Sequence, residues 1–300
     1  MPRVSEQSCC ENPKVSVHMI TYNHVKLIAQ AIVSVLMQET DFPVELVIGE
    51  DCSTDGTRSV VQAYANKYPN VIRAVLPDHN LGMHKNFEAV RAACRGEYVA
   101  LLEGDDYWTD SAKLKKQIAF LNRHGDFSLC FHSCTVYNKR DGKDQKWVLP
   151  QGLKKDIFET EDIIGPWFIP TASILFRNYD DFELPAWVEN CQSGDLPFLL
   201  LMSLRGKFKY LDVSMSVWRL HSGGVSASHR GYSKVIGIVY IYESFNAHTR
   251  YKYKEKIREA IIAEIRPRLE ELLQISSQRP LWRRVACRIR GLCMKTWGGD

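Results

Sequence analysis

Short apolar segments alternate with helical patterns over residues 14–125, and this alternation constrains the fold more than any other feature of the chain. Four apolar runs predict β-strands: Val15–Ile20, Val44–Ile48, Val71–Leu76 and Tyr98–Leu102. Between the first two runs, apolar residues recur at the spacing of an amphipathic helix. Strands joined through helices by short connections predict βαβ units. We therefore expect an α/β fold with a mainly parallel sheet flanked by helices.

Polar residues follow each of these four strands. In a parallel sheet the carboxyl ends of the strands lie along one edge, which is where ligands bind. The polar segments are Thr21-Tyr22-Asn23, Glu50 to Gly56, Asn80-Leu81-Gly82 and Glu103 to Asp106. We expect these loops to converge on one binding crevice.

The segment Glu103-Gly-Asp-Asp106 carries the strongest chemical signal. It places three carboxylates directly after an apolar strand, at the edge of the sheet. Negative charge concentrated in this way is costly unless a cation neutralises it. A hard divalent ion such as Mn²⁺ or Mg²⁺, which also binds a diphosphate, is the natural partner. The structural alternative is an ordinary turn at the end of a strand, where Gly-Asp-Asp is common.

The loop from Asp51 to Thr57 lies between a predicted strand and a predicted helix. Asp55 or Ser53 could cap that helix, which would explain the loop without a ligand. The functional alternative is that Asp51 accepts a hydrogen bond from a nucleotide base, while Tyr22 offers an aromatic surface beside the ring. The loop matches neither the P-loop pattern nor the glycine pattern of dinucleotide-binding domains.

In their order along the chain, these segments resemble the inverting family 2 glycosyltransferases, which have the A-type nucleotide-binding fold. The matching blocks are Val15 to Asn23, Val47 to Thr57, Asn80-Leu-Gly with Asn86, Leu101 to Asp106, and Trp108-Thr-Asp110 with the helix after it. The resemblance covers residues 14–125 and implies a nucleoside-diphosphate-sugar donor, with a UDP-sugar favoured. It says little about the acceptor.

The resemblance also implies a role for each donor-side residue. The donor-binding residues are Thr21, Tyr22, Asn23, Asp51, Ser53, Asn80, Gly82, Lys85, Glu103 and Asp105. The first two, Thr21 and Tyr22, flank the base. Within this set Asp51 reads the edge of the base and Asp105 lies near the ribose. Asp106 is the direct ligand of Mn²⁺ or Mg²⁺. Glu103 stands where relatives most often have Asp, which keeps the charge and lengthens the reach. Lys85 approaches the phosphates or, alternatively, lies on a solvated helix face.

Two residues of the second half, Asp195 and His221, complete the predicted site. Asp195 directly precedes an apolar helical run, so it is either a helix N-cap or, as the resemblance implies, the catalytic base. Relatives often have Glu-Asp at this place, whereas Gly194 precedes the aspartate here. His221 matches a position that contacts the metal or the diphosphate in relatives, and the Ser-Gly-Gly after it suits a closing loop. A packed or surface histidine is the alternative.

Four segments describe the organisation of the chain. We expect a disordered leader over residues 1–13, the nucleotide-sugar-binding half over 14–125, the acceptor-side half of the same catalytic domain over 126–230, and a C-terminal helical segment over 231–300. Residues 127–137 predict a long strand. Residues 156–222 predict irregular structure rich in aromatic residues and proline.

Residues 279–297 form a basic amphipathic tail. Trp282, Val285, Ile289 and Leu292 share one face of a predicted helix, and four arginines lie largely outside it. Such a helix suits an anionic membrane surface. The alternative is a terminal helix that docks on the domain with its charges solvated. Because the positive charge is concentrated in one tail and not along a face, we expect no nucleic-acid partner.

Together these features predict a metal-dependent inverting hexosyl- or N-acetylhexosaminyltransferase that acts on a glycan or lipid-linked glycan in surface polysaccharide synthesis. Nine cysteines without paired spacing and an amino terminus without an export signal predict a cytoplasmic protein, or one bound peripherally to the inner face of the membrane. One alternative is an inactive nucleotide- or glycan-binding relative. The other is a sugar nucleotidyltransferase, which normally has a Gly-rich basic loop after the first strand.

Overall fold

One mixed β-sheet organises the larger part of the molecule. The computed structural model describes residues 3–4, 12–138, 144–224 and 232–277. The chain divides into two compact units, Met1–Ser228 and His229–Asp300. Residues 279–297, the predicted amphipathic tail, lie outside the described residues.

The described residues of the first unit contain the sheet and six α-helices. Its strands are β1 (Arg3–Val4), β2 (Val15–Thr21), β3 (Val44–Glu50), β4 (Ile72–Leu76), β5 (Tyr98–Glu103), β6 (Tyr107–Trp108), β7 (Phe127–Asn138), β8 (Gln145–Leu149), β9 (Ile157–Phe158), β10 (Leu175–Arg177) and β11 (Lys207–Leu220). Its helices are α1 (Ile28–Leu36), α2 (Thr57–Lys67), α3 (Met83–Ala93), α4 (Lys113–Leu121), α5 (Thr160–Ile163) and α6 (Asp195–Ser203). Short 3-10 turns occupy Thr171–Ser173 and Ala186–Asn190.

The described residues of the second unit are helical. They include α7 (Tyr232–His248) and α8 (Lys254–Ser277), which pack against each other. None of the helices in the described part of the chain is long and apolar enough to cross a membrane.

The strand order is β1-β4-β3-β2-β5-β10-β7-β11-β6, with β8 paired to β7 and β9 paired to β11. The four strands predicted from the sequence, β2 to β5, run parallel to their neighbours within this group. Strand β10 is antiparallel to both β5 and β7, so the sheet becomes mixed in its second half. The parallel half therefore has the expected βαβ organisation, with all its carboxyl ends at one edge.

Burial on both faces explains the continuous apolar runs of the central strands. In β5 every residue from Tyr98 to Leu102 is at most 3% exposed. Helix α1 buries Ile28, Ala31 and Ile32 in the same core. Parallel strands covered by helices on both sides have no solvated face, so they do not show polar-apolar alternation.

The expectation of irregular structure over residues 156–222 is wrong for its last part. Strand β11 runs for 14 residues, parallel to β7 and antiparallel to β6. Its pairing with β7 shifts register between Leu211 and Ser214 and again before Ser216. Such irregularities break the period-two pattern that identifies a strand in a sequence. The strand ends beside the acidic loop that follows β5.

Candidate active site

The loop after β5 lies against the end of β2, and a glycine makes this approach possible. A Cβ atom at Gly104 would lie 2.4 Å from the Oγ1 atom of Thr21. The backbone of the loop can therefore pass the Thr21 side chain only without a side chain of its own. This contact brings Glu103, Asp105 and Asp106 to the carboxyl edge of the sheet.

The three acids of this loop form a cluster in which Asp106 is buried and Glu103 and Asp105 are partly buried. Carboxylate oxygens of Glu103, Asp105 and Asp106 lie within 4.8 Å of one another. Burial, followed by the charges of Asp105 and Asp195, raises the pKa of Glu103 to about 8. Burial, followed by the charges of Asp105 and Glu103, also raises the pKa of Asp106. Burial and mutual repulsion make the ionised forms of these carboxylates unfavourable unless a cation is bound. Carboxylate oxygens are the ligands that hard divalent cations prefer, so the residues fit Mn²⁺ or Mg²⁺.

Asp105 also lies between two histidines. The Nε2–H group of His221 donates to Oδ2 of Asp105 at 3.0 Å, and Nε2 of His24 lies 3.7 Å from the same oxygen. Burial opposes ionisation of Asp105, but the hydrogen bond from His221 and the nearby His24 hold the pKa of this carboxyl below its usual value. Burial lowers the pKa of His24. These three residues form a second group whose ligand atoms lie within 4.8 Å of one another.

Arg219, near the end of β11, fixes the acidic loop in place. Its backbone N–H donates to Oδ1 of Asp106 at 2.8 Å, and its guanidinium donates to the carbonyl oxygen of Asp105. A further guanidinium N–H donates to Oε1 of Gln30 on α1 at 3.0 Å. The side chain therefore ties the loop to the sheet and to α1.

The loops after β2 and β3 hold each other through hydrogen bonds. The backbone N–H of Asn23 donates to Oγ of Ser53 at 2.9 Å, and Oδ1 of Asn23 accepts from the backbone N–H of Thr54 at 2.9 Å. Glu50, which is fully buried, accepts from the backbone N–H of Ser53 at 2.7 Å. Tyr22 is 44% exposed beside this contact, so its ring presents a free aromatic surface. The arrangement suits the binding of a flat base.

Asp51 braces the loop that precedes α3. Its two carboxylate oxygens accept from the backbone N–H groups of Leu81 and Gly82 at 2.7 and 3.0 Å. The side-chain amide of Asn80 donates to the carbonyl oxygen of Asp51 at 2.9 Å. Asp51 is 3% exposed, and its carboxylate stabilises this loop whether or not it also binds a nucleotide base. Lys85 lies exposed on α3, close to its amino end.

Asp195 is the first residue of α6, and Gly194 occupies the N-cap position. Within the described residues no hydrogen bond involves the Asp195 carboxylate, so the helix does not use it as a cap. The side chain is half-buried, and its charge raises the pKa of Glu103. Asp195, in the acceptor half of the fold, is therefore near enough to Glu103 for their charges to interact.

The structure brings most of the predicted residues to one edge of the sheet. Thr21, the three acids of the loop, Asp195 and His221 converge there. Two residues that sequence reasoning did not assign, His24 and Arg219, lie among them. Each is within two positions of a predicted residue or loop, but neither belongs to a motif whose chemistry is recognisable without the fold.

Sequence relatives exist among bacterial proteins. The chain is 37% identical over 214 residues to an uncharacterized protein of Mycobacterium tuberculosis, a match that covers 70% of this chain and 60% of that protein. It is 31% identical over 163 residues to the Staphylococcus aureus poly(ribitol-phosphate) beta-N-acetylglucosaminyltransferase TarS, covering 53% of this chain and 26% of TarS. The chain thus spans about 60% of the length of the first of these relatives.

Solved structures share the fold. The crystal structure of S. aureus TarS 1–349 in complex with UDP-GlcNAc matches with a TM-score of 0.56 at 20% identity, covering 91% of this chain and 88% of that one. A mannosyltransferase from Pyrobaculum calidifontis, in complex with GDP-Man and Mn²⁺, matches with a TM-score of 0.59 at 15% identity, covering 97% and 84%. The family model for glycosyl transferase family 2 matches residues 16–182, more than half of the chain, and the chain therefore belongs to that family.

Proposed function

We propose that this chain is a metal-dependent inverting glycosyltransferase that moves a hexosyl or N-acetylhexosaminyl group from a nucleoside-diphosphate sugar to a hydroxyl group. The observation that carries the proposal is the position of Asp195. Its carboxylate has no hydrogen bond within the described residues, and its charge acts on Glu103 in the acidic cluster. A carboxylate placed in this way is suited to take a proton from an acceptor.

The donor side would bind the nucleotide and the cation. Tyr22 offers its exposed ring to the base, beside the loop that Asn23 and Ser53 hold together. Asp106 keeps its predicted place as a direct ligand, with His221. Asp105, predicted from the sequence to lie near the ribose, belongs to both groups of ligand atoms, so we place it as the central ligand instead. When bound, the cation would neutralise the charge that develops on the diphosphate leaving group. A UDP-sugar is the favoured donor, and the UDP-GlcNAc complex of TarS supports this choice.

The acceptor side would supply the base. Asp195 receives the proton of the acceptor hydroxyl while the hydroxyl oxygen attacks the anomeric carbon of the sugar. A single attack on the side opposite the diphosphate leaving group inverts the configuration at that carbon. The backbone of Asp195 belongs to the first turn of α6, so its position is fixed before an acceptor binds. A cation held by the acidic loop would also lower the negative charge that Asp195 faces.

A glycan or lipid-linked glycan of the cell surface is the proposed acceptor, and TarS, a poly(ribitol-phosphate) glycosyltransferase, supports an acceptor of this general kind. Five cysteines among the described residues form no disulfide, which is in keeping with a reducing cytoplasm. They are Cys52, Cys94, Cys130, Cys134 and Cys191. Attachment to the inner face of the membrane through residues 279–297 is the remaining part of the proposal.

Thermal shift measurements with UDP, GDP, dTDP and CMP, each with and without Mn²⁺, test the donor and the cation together. We expect UDP to stabilise the protein only when Mn²⁺ is present, because ligand that binds the native state alone raises the melting temperature. Asp105→Asn should abolish this shift, since it removes the central ligand. Asp180→Asn, a change of an exposed aspartate, should leave the shift unchanged.

Two outcomes would contradict the proposal. A shift with UDP that is equally large without metal would exclude the cation as part of the donor site. The absence of a shift with all four nucleotides would instead favour an inactive relative of the family.

A further inference from the structure

His24 has no role in the proposed function, yet it lies at the centre of the site. It follows β2 and sits in the loop after that strand, whereas the acids come from the loop after β5 and His221 follows β11. Three separate segments of the chain thus meet at Asp105. The question is what the second imidazole does there.

The distance between His24 and Asp105 fits two ligands of one ion better than it fits a hydrogen bond. Nε2 of His24 lies 3.7 Å from Oδ2 of Asp105, which is too long for a hydrogen bond. Two ligand atoms that are each about 2.1 Å from the same ion lie roughly 3 to 4.2 Å apart. The 3.0 Å separation between Asp105 and His221 also falls in this range. Both imidazole rings lie edge to face, with their centroids 5.9 Å apart.

The other ring nitrogen of His24, Nδ1, is hydrogen-bonded on the side of the ring away from Asp105. Nδ1 shares a hydrogen bond of 3.2 Å with Oγ1 of Thr21, and the backbone N–H of His24 donates to Oγ1 of Thr57 at 2.8 Å. These contacts fix the ring so that Nε2 faces Asp105. A ligating histidine characteristically has its second nitrogen engaged in this manner, which sets the tautomer and the direction of the free nitrogen.

The group is also accessible. The side chains of His24, Asp105 and His221 are 15%, 15% and 25% exposed, so an ion and the oxygens of a diphosphate can reach them. Asp106, by contrast, is 1% exposed, and its Oδ1 atom accepts from the backbone of Arg219.

We propose that His24 is a further protein ligand of the cation, and that the imidazoles of His24 and His221, together with the carboxylates, select a first-row transition ion such as Mn²⁺ over Mg²⁺. This inference rests on the proposed function, since it concerns the cation of the same donor site. Imidazole nitrogen favours transition metals, whereas Mg²⁺ is held by oxygen ligands and water. Two imidazoles among the ligands therefore give a preference for such an ion that three acids alone would not give.

Pulsed EPR of Mn²⁺ bound to the full chain with UDP tests the ligand directly, because the ¹⁴N nuclei of coordinated imidazoles couple to the electron spin. We expect the couplings of two imidazoles in the wild type and of one in His24→Gln. We also expect Mn²⁺ affinity to fall by about tenfold or more in that variant, while Mg²⁺ affinity changes less. His124→Gln, at an exposed histidine after α4, is the matched control.

A second variant separates the loss of a ligand from the loss of the fold. His24→Glu offers an oxygen in place of the nitrogen, so it should keep Mn²⁺ while losing one ¹⁴N coupling. Equal spectra and equal Mn²⁺ affinities in the wild type and His24→Gln, together with a UDP shift that needs metal, would overturn the role of His24 and leave the proposed function standing. A wild type that binds no Mn²⁺ in the presence of UDP would overturn both.

Discussion

Three aspartates of the site show how the surroundings of a residue decide its chemistry. Asp51 is buried and saturated by two backbone N–H groups, so it stabilises a loop. Asp105 is kept ionised between two histidines, where it suits a cation. Asp195 is half-buried and has no hydrogen bond within the described residues, which leaves its oxygens available to a substrate. The same functional group thus stabilises a loop at Asp51, and is proposed to bind a cation at Asp105 and to act as a base at Asp195.

At this scale we predict that Asp195→Asn abolishes sugar transfer while nucleotide binding persists. An amide cannot accept the proton of the acceptor, and loss of a general base lowers turnover by about 10²- to 10⁴-fold. The measurement is the rate of transfer from UDP-sugar, alongside the thermal shift with UDP and Mn²⁺.

Glu189→Gln, a change in the exposed turn before α6, is the control and should retain wild-type turnover. Near wild-type turnover in Asp195→Asn would show that another group acts as the base. Loss of the nucleotide shift in that variant would show that Asp195 belongs to the donor site.

Among the elements, α4 carries a buried lysine that the proposed mechanism does not use. Lys113 is fully buried, its Nζ donates to Oε1 of Gln117 at 2.7 Å, and it lies 4.0 Å from the centre of the Trp108 ring. The Gln117 amide in turn donates to the carbonyl oxygen of Ser173 at 2.9 Å. This network joins α4 to β6 and to the turn before β10. Burial lowers the pKa of Lys113 from 10.5 to about 7.

The lowered pKa of Lys113 predicts a pH dependence of stability. Between pH 7 and 10.5 the unfolded chain holds a proton on this amine that the folded chain has released, so the free energy of unfolding rises with pH in this window. Lys113→Met removes the effect. We expect the difference in unfolding free energy between wild type and variant to change by about 2 kcal/mol between about pH 7.5 and 9.5, measured by chemical denaturation.

Lys115→Met, on the exposed side of the same helix, serves as the control and should follow the pH dependence of the wild type. If Lys113→Met also shows the pH dependence of the wild type, then Lys113 is charged in the folded protein, and its surroundings compensate for its burial.

At the scale of the whole molecule, the formal charge is only +4, but it is unevenly distributed. The basic tail lies outside the described residues, so its role stays a prediction from the sequence. We expect removal of residues 279–300 to reduce binding to anionic liposomes by at least about tenfold, because each basic residue near such a surface contributes about 1 kcal/mol.

The truncated chain should keep its thermal shift with UDP and Mn²⁺, and liposomes of zwitterionic lipid should bind neither form. Unchanged binding to anionic liposomes after truncation would contradict the membrane role of the tail.

The parallel half of the sheet, and the loops that meet at its edge, could be predicted from local residue patterns. Apolar runs and helical spacing are local patterns, and the carboxyl ends of parallel strands must share one edge. The acidic cluster was predictable for the same reason, since its three carboxylates are neighbours in the chain. Strand β11 was not, because its register shifts interrupt the alternation on which such a prediction depends.

Which side chains face one another within the site depends on the folded chain and could not be predicted. His221 reaches Asp105 across 116 residues of sequence, and His24 arrives from a third segment. Likewise, nothing in the Asp51 loop indicates that its carboxylate is held by the backbone of Leu81 and Gly82. Contacts of this kind depend on how strands pair and how closely loops approach, as Gly104 approaches Thr21. Local residue patterns do not specify which distant segments come into contact or how closely two loops approach.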